Sequence, residues 1–361
     1  MRKEKEMITE HNSRETIIDE TFDHCDINDP FFDSLKKDYE GFEEWFARKS
    51  KARTRVLVQR DESNYIQAFL YLKIEEGEIS DVIPILSSKK RLKIGTFKIN
   101  GHNTRLGERF FKKIFDYAIQ NRVEEVYVTI FDQPMQAKLI ETFYSFGFEH
   151  KARKGEELVL LKNMHSYLNN PTYDYPLIGL KGHNKYVLSI YPQWHTLMFP
   201  DSALYAERYD PICDVSPTNS IHKIYITSMR GTENLKRGDI IVIYRSSDRG
   251  GAAWYRSVYT SICVVEDVRR VYEFVDREDF DLFIKDYSIF PKEAIDVWYS
   301  KRTSVVIKMT YNVALEKRIT LGTMIKNLGI HPNYYGFYSL SDEQFLNLVK
   351  LGQANADYFI Y

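Results

Sequence analysis

KKRLKIGTFKINGHNTRLGERFFKK, Lys89–Lys113, is the stretch that decides how the first half of the chain folds. Within it, Arg91–Ile99 alternates polar and apolar residues and predicts a strand, and Asn100–Asn103 has the residue types of a tight turn. From Gly107 to about Gln120 the apolar residues fall at helical spacing. A strand that leads into a helix N-terminus can bind an anion, because the first backbone N–H groups of a helix have no partner.

Basic residues are concentrated around this turn, with Glu108 as the single acid of the stretch. They are Lys89, Lys90, Arg91, Lys93, Lys98, Arg105, Arg109, Lys112 and Lys113. This charge favours a polyphosphate ligand such as the pyrophosphate of a coenzyme. An ordinary strand–helix unit with a solvated basic helix face explains the same residues equally well, so both interpretations stay open at this point.

The composition of the chain limits the class of protein, its partners and its compartment. The chain has 361 residues, 43% hydrophobic and 28% charged, which is typical of a globular protein of about two domains. A net charge of −1 gives no global basic field, so any nucleic-acid binding needs a local patch. Cys25, Cys213 and Cys263 fit neither a disulfide framework nor a zinc site, which indicates a reducing compartment. With no signal-peptide pattern and no apolar run of about 18 residues, we expect a soluble cytoplasmic protein.

The order of patterns divides the chain into four parts. We expect a flexible segment at 1–19, an α/β domain at 20–163, an Asn- and Pro-rich linker at 164–183 and a β-rich domain at 184–361. The α/β domain is predicted to run from two short helices through an antiparallel meander into alternating strands and helices, whose central strands can part to admit a ligand. Its predicted strands are Arg55–Gln59, Tyr65–Lys73, Asp81–Leu86, Arg91–Ile99, Glu124–Phe131 and Glu157–Leu161.

The second half is predicted to be a small β-barrel with peripheral helices. Its strands are expected within Leu235–Ser246, Trp254–Val268 and Arg302–Tyr311. Its helices are expected near Arg277–Tyr287, Pro291–Tyr299, Leu321–Asn327 and Ser341–Leu351.

The first half resembles the GNAT superfamily of acyl-CoA-dependent N-acyltransferases. Phe97-Lys98-Ile99 stands where the family's fourth strand ends in Leu-x-Val, and Gly107 matches the central glycine of its Arg/Gln-x-x-Gly-x-Gly/Ala motif. Gly147-Phe148 matches the end of a second family signature. The resemblance implies a sandwich with a mixed sheet and helices on both faces. It also implies acetyl-CoA, or another acyl-CoA, bound by Phe97, Lys98, Ile99, Thr104, Arg105, Leu106, Gly107, Glu108 and Arg109.

Candidate catalytic residues follow from the same resemblance. The family has a tyrosine that protonates the departing thiolate, and Phe143 stands in its place, which leaves the neighbouring Tyr144 as the candidate acid. Glu75 is the candidate carboxylate for accepting a proton from the acceptor amine, with Glu76 beside it. The alternatives are that Tyr144 is a packing or surface aromatic and that the two glutamates form a solvated hairpin end.

The second half resembles the PUA-like superfamily, in particular its ASCH and EVE relatives. Leu235–Ile241, Tyr244–Ser246 and Thr260–Glu266 carry the resemblance, with Gly238-Asp239 at a tight turn before a buried strand. The family implies an α+β barrel domain that binds RNA, or a modified base, on aromatic side chains. The candidate contacts are Lys223, Tyr225, Arg245, Ser246, Trp254, Tyr255, Arg256, Tyr259 and Thr260. The alternative for each is that it packs in the core of the barrel. His195 is either catalytic or a packed histidine beside Trp194.

Three functional hypotheses remain. The first is an acetyl-CoA-dependent N-acetyltransferase that acts on an amine of an RNA-associated substrate, such as a charged or modified tRNA held by the second half. The second is a non-catalytic RNA-binding or regulatory protein with a degenerate acyltransferase domain, and the third is a protein N-acetyltransferase. The domain pairing resembles bacterial proteins of stress or toxin–antitoxin settings, which implies a protein partner or antitoxin by association only. No metal site and no membrane contact are expected, and the oligomeric state stays open.

Overall fold

The computed structural model of the chain describes residues 17–100, 105–202, 218, 220–247 and 253–361. These residues form two α/β units, each built on its own mixed sheet. The first sheet has seven strands in the order β1-β2-β3-β4-β5-β7-β6. Its strands are β1 Ile18–Thr21, β2 Arg55–Arg60, β3 Ile66–Ile79, β4 Leu86–Ile99, β5 Glu125–Phe131, β6 Glu149–Lys154 and β7 Glu157–Asn163.

Helices cover both faces of this first sheet. On one face lie α1 (Asp33–Asp38) and α2 (Phe42–Lys51), where Phe42 and Phe46 belong to an aromatic core with Phe69 of β3. On the other lie α3 (Leu106–Gln120) and α4 (Ala137–Ser145). The predicted mixed sheet with helices on both faces is therefore present.

The second unit is built on a six-stranded sheet in the order β10-β13-β12-β11-β9-β14. The remaining strands are β8 Ile178–Gly179, β9 Lys185–Ile190, β10 His222–Thr227, β11 Ile240–Arg245, β12 Val258–Arg270, β13 Val305–Thr320, β14 Phe337–Leu340 and β15 Phe359–Ile360. The remaining helices are α5 Pro192–Met198, α6 Ala253–Arg256, α7 Arg277–Ile284, α8 Lys292–Ser300, α9 Leu321–Leu328 and α10 Asp342–Leu351. Register shifts interrupt the long β12–β13 pairing, and within the described residues β10 and β14 remain edges, so the strand pairing does not close a complete barrel.

Several predicted boundaries need correction. No strand forms at Asp81–Leu86, where the backbone makes an isolated bridge from Ile83 to Arg153 and β4 starts only at Leu86. The segment 1–19 is not wholly outside the fold, because β1 begins at Ile18 and pairs with β2. Strand β6 was missed because its sequence, EHKARK, is polar and charged, as suits an edge strand that avoids pairing with other chains.

The linker predicted at 164–183 is packed rather than extended. Tyr175, Leu177 and Ile178 are buried, and β8 pairs with β15 near the end of the chain. The ring of Tyr175 contacts Phe115 of α3 at 5.5 Å and Phe146, just after α4, at 5.8 Å. These contacts place one hydrophobic cluster across both units.

Among the residues that the structure describes, no helix has both the length and the apolar composition needed to cross a membrane.

Gly147, which ends α4, is required by two separate constraints. Its φ of +80° is in the left-handed region, and a Cβ atom there would lie 2.4 Å from the carbonyl oxygen of Tyr173 and 2.8 Å from Nζ of Lys162. Gly155 also has a positive φ, +55°, but no atom lies within 4 Å of where its Cβ would be. The pair therefore separates backbone strain from steric overlap.

We expect Gly147→Ala to lower the free energy of unfolding by about 1–3 kcal/mol more than Gly155→Ala does, because only the first adds overlap to strain. Urea-induced unfolding of both variants measures the difference. Equal losses would show that the packing around Gly147 relaxes without cost.

Candidate active site

The cleft of the first unit begins where β4 and β5 part. The two strands pair in parallel from Arg91–Glu125 to Ile94–Val128, yet β4 continues to Ile99 and β5 to Phe131. Beyond Ile94 the inner edges of both strands face a cavity of about 2110 Å³. Backbone groups on these edges have no strand partner across the gap, so they are available to a ligand or to water.

A bulge at Gly95 marks the point of parting. Tyr71 of β3 pairs with Thr96 and Leu72 pairs with Ile94, so Gly95 is the extra residue. A Cβ atom on Gly95 would lie 2.6 Å from Cδ1 of the Tyr71 ring. Glycine is therefore needed here because an aromatic ring lies directly against the backbone.

On the α1–α2 face, the cleft wall is aromatic and charged. The rings of Trp45 and Tyr71 meet at 5.8 Å in an edge-on arrangement. Lys49 Nζ donates to the Tyr71 hydroxyl at 2.7 Å and lies 4.7 Å from its ring. The ionisable residues that line this mouth include both signs: Asp38, Glu40, Glu44, Arg48, Lys49, Lys73, Glu75, Lys93 and Glu157.

Most of the predicted coenzyme-binding residues line the same cleft. Phe97, Lys98 and Ile99 of β4 do so, as do Arg105 and the first turn of α3 with Leu106, Gly107 and Glu108. A Cβ on Gly107 would lie 3.6 Å from Cδ1 of Ile99, which is an ordinary van der Waals contact, so local packing alone does not require glycine here. Thr104 lies outside the described residues.

Residues of the second unit engage the two ionisable residues at the start of α3. Arg105 donates to Glu108 at 2.7 Å and to Asp286 at 2.9 Å, and its guanidinium lies 4.2 Å from the Tyr287 ring. The Glu108 carboxylate accepts from the hydroxyl of Ser220 and from the backbone N–H of Ile221 at 3.0 Å. The start of α3 is thus fixed by contacts between the units.

The basic helix face is neither solvated nor turned toward the cleft. Lys112 of α3 pairs with Asp116 at 2.8 Å, and Lys113 pairs with Asp201 of the second unit at 3.3 Å. Arg109, a predicted coenzyme contact, is absent from the cleft wall and acts on Asp201 as well. Burial opposes ionisation of Asp201, but Lys112, Lys113 and Arg109 lower its pKa to about 2.

Four other basic residues of the stretch are likewise bonded inside the first unit, whereas Lys93 lies over the Tyr127 ring and lines the cleft. Arg91 and Lys89 bind Glu125, and Lys90 donates to the carbonyl of Asn121 at 2.7 Å. Lys98 donates to the carbonyl of Phe31 and to Ser34 at 2.7 Å. The concentration of charge in the sequence is therefore mostly structural.

Glu75 lies in the cleft wall as a charged group with both oxygens in use. Lys73 donates to Oε1 at 2.8 Å, and the Tyr127 hydroxyl donates to Oε2. Burial raises the pKa of Glu75, but these two hydrogen bonds together with the charges of Lys93 and Lys73 outweigh it and hold the pKa below its usual range. A carboxylate in this state is a fixed negative charge and a weak proton acceptor.

Tyr144 does not take the position of the missing acid. Its side chain is 41% exposed and is not part of the cleft wall. The helix instead directs Phe143 inward, where the ring packs on Phe111 at 4.9 Å and on Phe148 at 4.8 Å. Tyr144 is thus a surface aromatic in this structure, and the two hydroxyl residues of α4 that line the cleft, Thr142 and Ser145, donate to backbone carbonyls of their own helix.

Most predicted nucleic-acid contacts are inside the second unit. Lys223, Tyr225, Arg245, Tyr259 and Thr260 are all at most 5% exposed, so they cannot contact RNA in this conformation. The physical reason is that their strands, β10, β11 and β12, are buried on both faces, which a sequence pattern of alternating residues does not reveal.

Individual contacts confirm this interior position. Burial lowers the pKa of Lys223 to about 7, and its Nζ donates to the carbonyl of Thr218 at 2.9 Å. The Tyr259 hydroxyl bonds that of Tyr338 at 2.7 Å. Thr260 Oγ1 lies 2.8 Å from Nε2 of His195.

His195 is a packed histidine. It is fully buried on α5. Burial, with Arg245 and Arg318 nearby, lowers its pKa to about 3, so the imidazole is neutral. It does not line the cleft of the first unit.

An exposed group of predicted contacts remains on and near α6. Tyr255 is 72% exposed, Arg256 is exposed, and Trp254 and Ser246 are half-buried. Trp254 packs on Gly322 at the start of α9. Tyr255 and Arg256 are thus the predicted contacts that a large ligand can reach.

The cleft wall also contains residues that sequence reasoning missed. Gly95 carried a signal, since a glycine inside a strand pattern often marks a bulge. His222, Lys285, Asp286 and Tyr287 of the second unit carried none, because they join the wall only through the docking of the two units. Within the described ranges, no group of three or more His, Cys, Asp or Glu residues is arranged to hold a metal ion.

No protein-family model and no curated protein matches the chain. Solved structures with similarity include an ASCH protein from Zymomonas mobilis, with a TM-score of 0.33 and 9% identity over 46% of this chain and 95% of that one. A GNAT-family acetyltransferase from Listeria monocytogenes has a TM-score of 0.25 and 12% identity over 34% of this chain and 70% of that one. The NatC complex bound to Gag peptide and CoA has a TM-score of 0.28 and 15% identity over 41% of this chain and 98% of the matched one. At these TM-scores the similarities carry no argument, and the proposals below rest on the geometry of the chain.

We expect Gly95→Ala to lower the free energy of unfolding by about 1–3 kcal/mol, because the added methyl group overlaps the buried Tyr71 ring. In a Tyr71→Leu background, Gly95→Ala should lower the free energy of unfolding by less, so the two changes should be non-additive in a double-mutant cycle. Urea-induced unfolding of the two single variants and the double variant measures this. Strict additivity would mean that the ring does not constrain the bulge.

Proposed function

We propose that the first unit is an acyl-CoA-dependent N-acyltransferase, with acetyl-CoA as the expected donor. The observation that carries the proposal is the parting of β4 and β5 into a cleft that extends to Gly107 at the start of α3. Acyl transfer needs a thioester carbonyl held near backbone N–H donors and an amine that approaches it directly. The cleft is lined by residues from both faces of the sheet, such as Tyr71 on one side and Leu139 on the other, and in this proposal the two substrates approach from opposite faces.

The residues present fit an acyl-CoA. Phe97 and Ile99 offer apolar wall to a long flexible chain, and Gly107 keeps the helix start free of a side chain. Lys98 and Arg105 bring positive charge to the same wall. In this role the coenzyme supplies the activated acyl group, and the chain supplies orientation and exclusion of water.

We further propose that the acceptor amine belongs to an RNA-associated substrate such as a charged tRNA. The support is the exposed pair Tyr255 and Arg256 on α6, since an aromatic ring and a guanidinium suit stacking on unpaired bases and contact with phosphate. The interior position of Lys223, Tyr225, Arg245, Tyr259 and Thr260 restricts this surface to the neighbourhood of α6.

A non-catalytic coenzyme or RNA sensor is the second candidate. Phe143, which has no hydroxyl to donate, and the ion pairs that engage Arg105 favour it. The two candidates differ in whether bound acetyl-CoA is consumed.

We expect acetyl-CoA to bind the wild-type protein and Gly107→Trp to abolish binding, because the indole fills the cleft at the helix start. Isothermal titration calorimetry measures both. The matched control is Glu343→Trp, which adds the same ring at the same helix position, the second residue of α10, on an exposed site. Binding that survives in Gly107→Trp, or that the control also loses, would contradict the proposed site.

Turnover separates the enzyme from the sensor. Thiol release from acetyl-CoA is measured with aminoacyl-tRNA, spermidine and a lysine-containing peptide as separate acceptors. Release with aminoacyl-tRNA supports the full proposal, and release with the peptide alone favours a protein acetyltransferase. Binding without release from any of the three favours the sensor.

We expect Tyr255→Ala to weaken binding of charged tRNA roughly tenfold, since loss of one stacking ring typically costs about 1–3 kcal/mol. Filter binding at fixed salt concentration measures the affinity. Tyr65→Ala, which removes another exposed tyrosine from the first unit, is the control and should leave the affinity unchanged. Equal effects of the two changes would exclude α6 as the RNA contact.

A further inference from the structure

His222 is a histidine of the second unit that lies in the cleft wall of the first. It begins β10, is 7% exposed and lines the cleft with Tyr287. Its ring is stacked on Phe146 at a centroid distance of 6.1 Å and packs on Tyr287 at 5.1 Å. The imidazole is therefore held between an aromatic ring of each unit.

A buried carboxylate fixes the orientation of this imidazole. Nδ1 of His222 is hydrogen-bonded to Oε1 of Glu266, which is 6% exposed. Glu266 also accepts from Thr172 Oγ1 at 3.1 Å and pairs with Lys308 Nζ at 3.3 Å. Burial raises the pKa of Glu266, but His222 and Lys308 hold it below its usual range, so the group is an ionised acceptor.

Because Glu266 accepts the hydrogen bond, Nδ1 is the nitrogen that carries the fixed proton, and Nε2 is left to exchange one. Within the described part of the chain, Nε2 of His222 has no hydrogen-bond partner. It is also not one of the fully buried polar atoms that lack a partner, so it keeps some access to solvent. An imidazole oriented through one nitrogen by a carboxylate, with the other open to a cavity, is the arrangement of a proton-transfer group.

The candidates predicted in the first unit do not supply such a group. Phe143 has no hydroxyl, Tyr144 is outside the cleft wall, and both oxygens of Glu75 are engaged by Lys73 and Tyr127. Transfer of an acyl group from a thioester to an amine nevertheless requires the nitrogen to lose a proton and the sulfur to gain one.

We infer that His222 is the proton-transfer residue of the acyl transfer, supplied to the first unit's cleft by the second unit; this rests on the proposed acyltransferase function. The amine nitrogen bonds to the carbonyl carbon and gives a proton to Nε2 of His222. The carbon–sulfur bond then breaks, and the same proton passes from Nε2 to the thiolate. The imidazole ends in the state in which it began, and the products are an amide and free CoA.

The anchoring of His222 also connects the chemistry to the start of α3. The backbone N–H of His222 donates to Ser220 Oγ at 3.0 Å, and the hydroxyl of Ser220 donates to Glu108 of α3. Any shift of the second unit relative to α3 would therefore move the imidazole. Acyl transfer would therefore depend on both units, even though the acyl donor is proposed to bind in the cleft of the first unit.

We expect His222→Gln to lower kcat by about 10²-fold or more while the Kd for acetyl-CoA stays within about twofold, because general acid–base catalysis typically contributes 10²–10⁴-fold to the rate and little to binding. Thiol release with the three acceptors named above measures kcat, and calorimetry measures Kd. Glu266→Gln, which keeps an acceptor for Nδ1 but removes the charge, should lower kcat less. His150→Gln, at an exposed histidine of β6, is the matched control.

A second readout does not depend on turnover. The proton between Nδ1 and Glu266 should give a far-downfield proton NMR signal that is absent from His222→Gln and that shifts when CoA is added to the wild type. Three outcomes would overturn the inference while leaving the acyltransferase proposal intact. The NMR signal could fail to shift with CoA, or His222→Gln could keep the wild-type kcat. The variant could also bind acetyl-CoA more weakly at unchanged kcat. A wild-type protein that binds acetyl-CoA but turns over no acceptor would overturn both.

Discussion

Burial of both the apolar and the basic face of α3 is the constraint that organises both units. Its apolar side, with Phe110, Phe111 and Phe115, packs on the first sheet. Its charged side, with Lys112 and Lys113, is neutralised by Asp116 on the helix itself and by Asp201 of the second unit, since buried charges need partners. Without the second unit these lysines would face water and the apolar cluster that spans both units would be open. The helix that carries the candidate coenzyme contacts is therefore held in place from outside its own domain.

The cleft follows from the way β4 and β5 are each held on their outer edges. Strand β5 stays paired with β7 from Glu125 to Phe131, and β4 stays paired with β3 as far as Ile99. The bulge at Gly95 bends β4, together with β3, away from β5. The backbone pairing between β4 and β5 therefore does not continue past Ile94. The cavity is thus built into the backbone, and side chains only decide what it can hold.

The second unit does more than cover the first. It engages Arg105 and Glu108 at the start of α3 and places His222 in the cleft wall. The predicted RNA contacts on its strands turn out to be core residues, whereas Tyr255 on a short helix is open. The sequence suggests one half for catalysis and one for binding, whereas the structure has one cleft whose wall contains residues of both units.

Local patterns in the sequence determined the elements themselves. The helical spacing from Gly107 to about Gln120 and the helix near Ser341–Leu351 each depend on a few neighbouring residues, and the structure agrees with them. Most of the cleft positions predicted on β4 and at the start of α3 came instead from the resemblance to an acyltransferase family. The tertiary structure alone decided which charges pair with each other and which line the cleft. It also decided whether Tyr144 or Phe143 faces inward, which strands are buried on both faces and which residues of one unit reach the other. These outcomes depend on contacts between residues that are distant in sequence, and local sequence patterns do not describe such contacts.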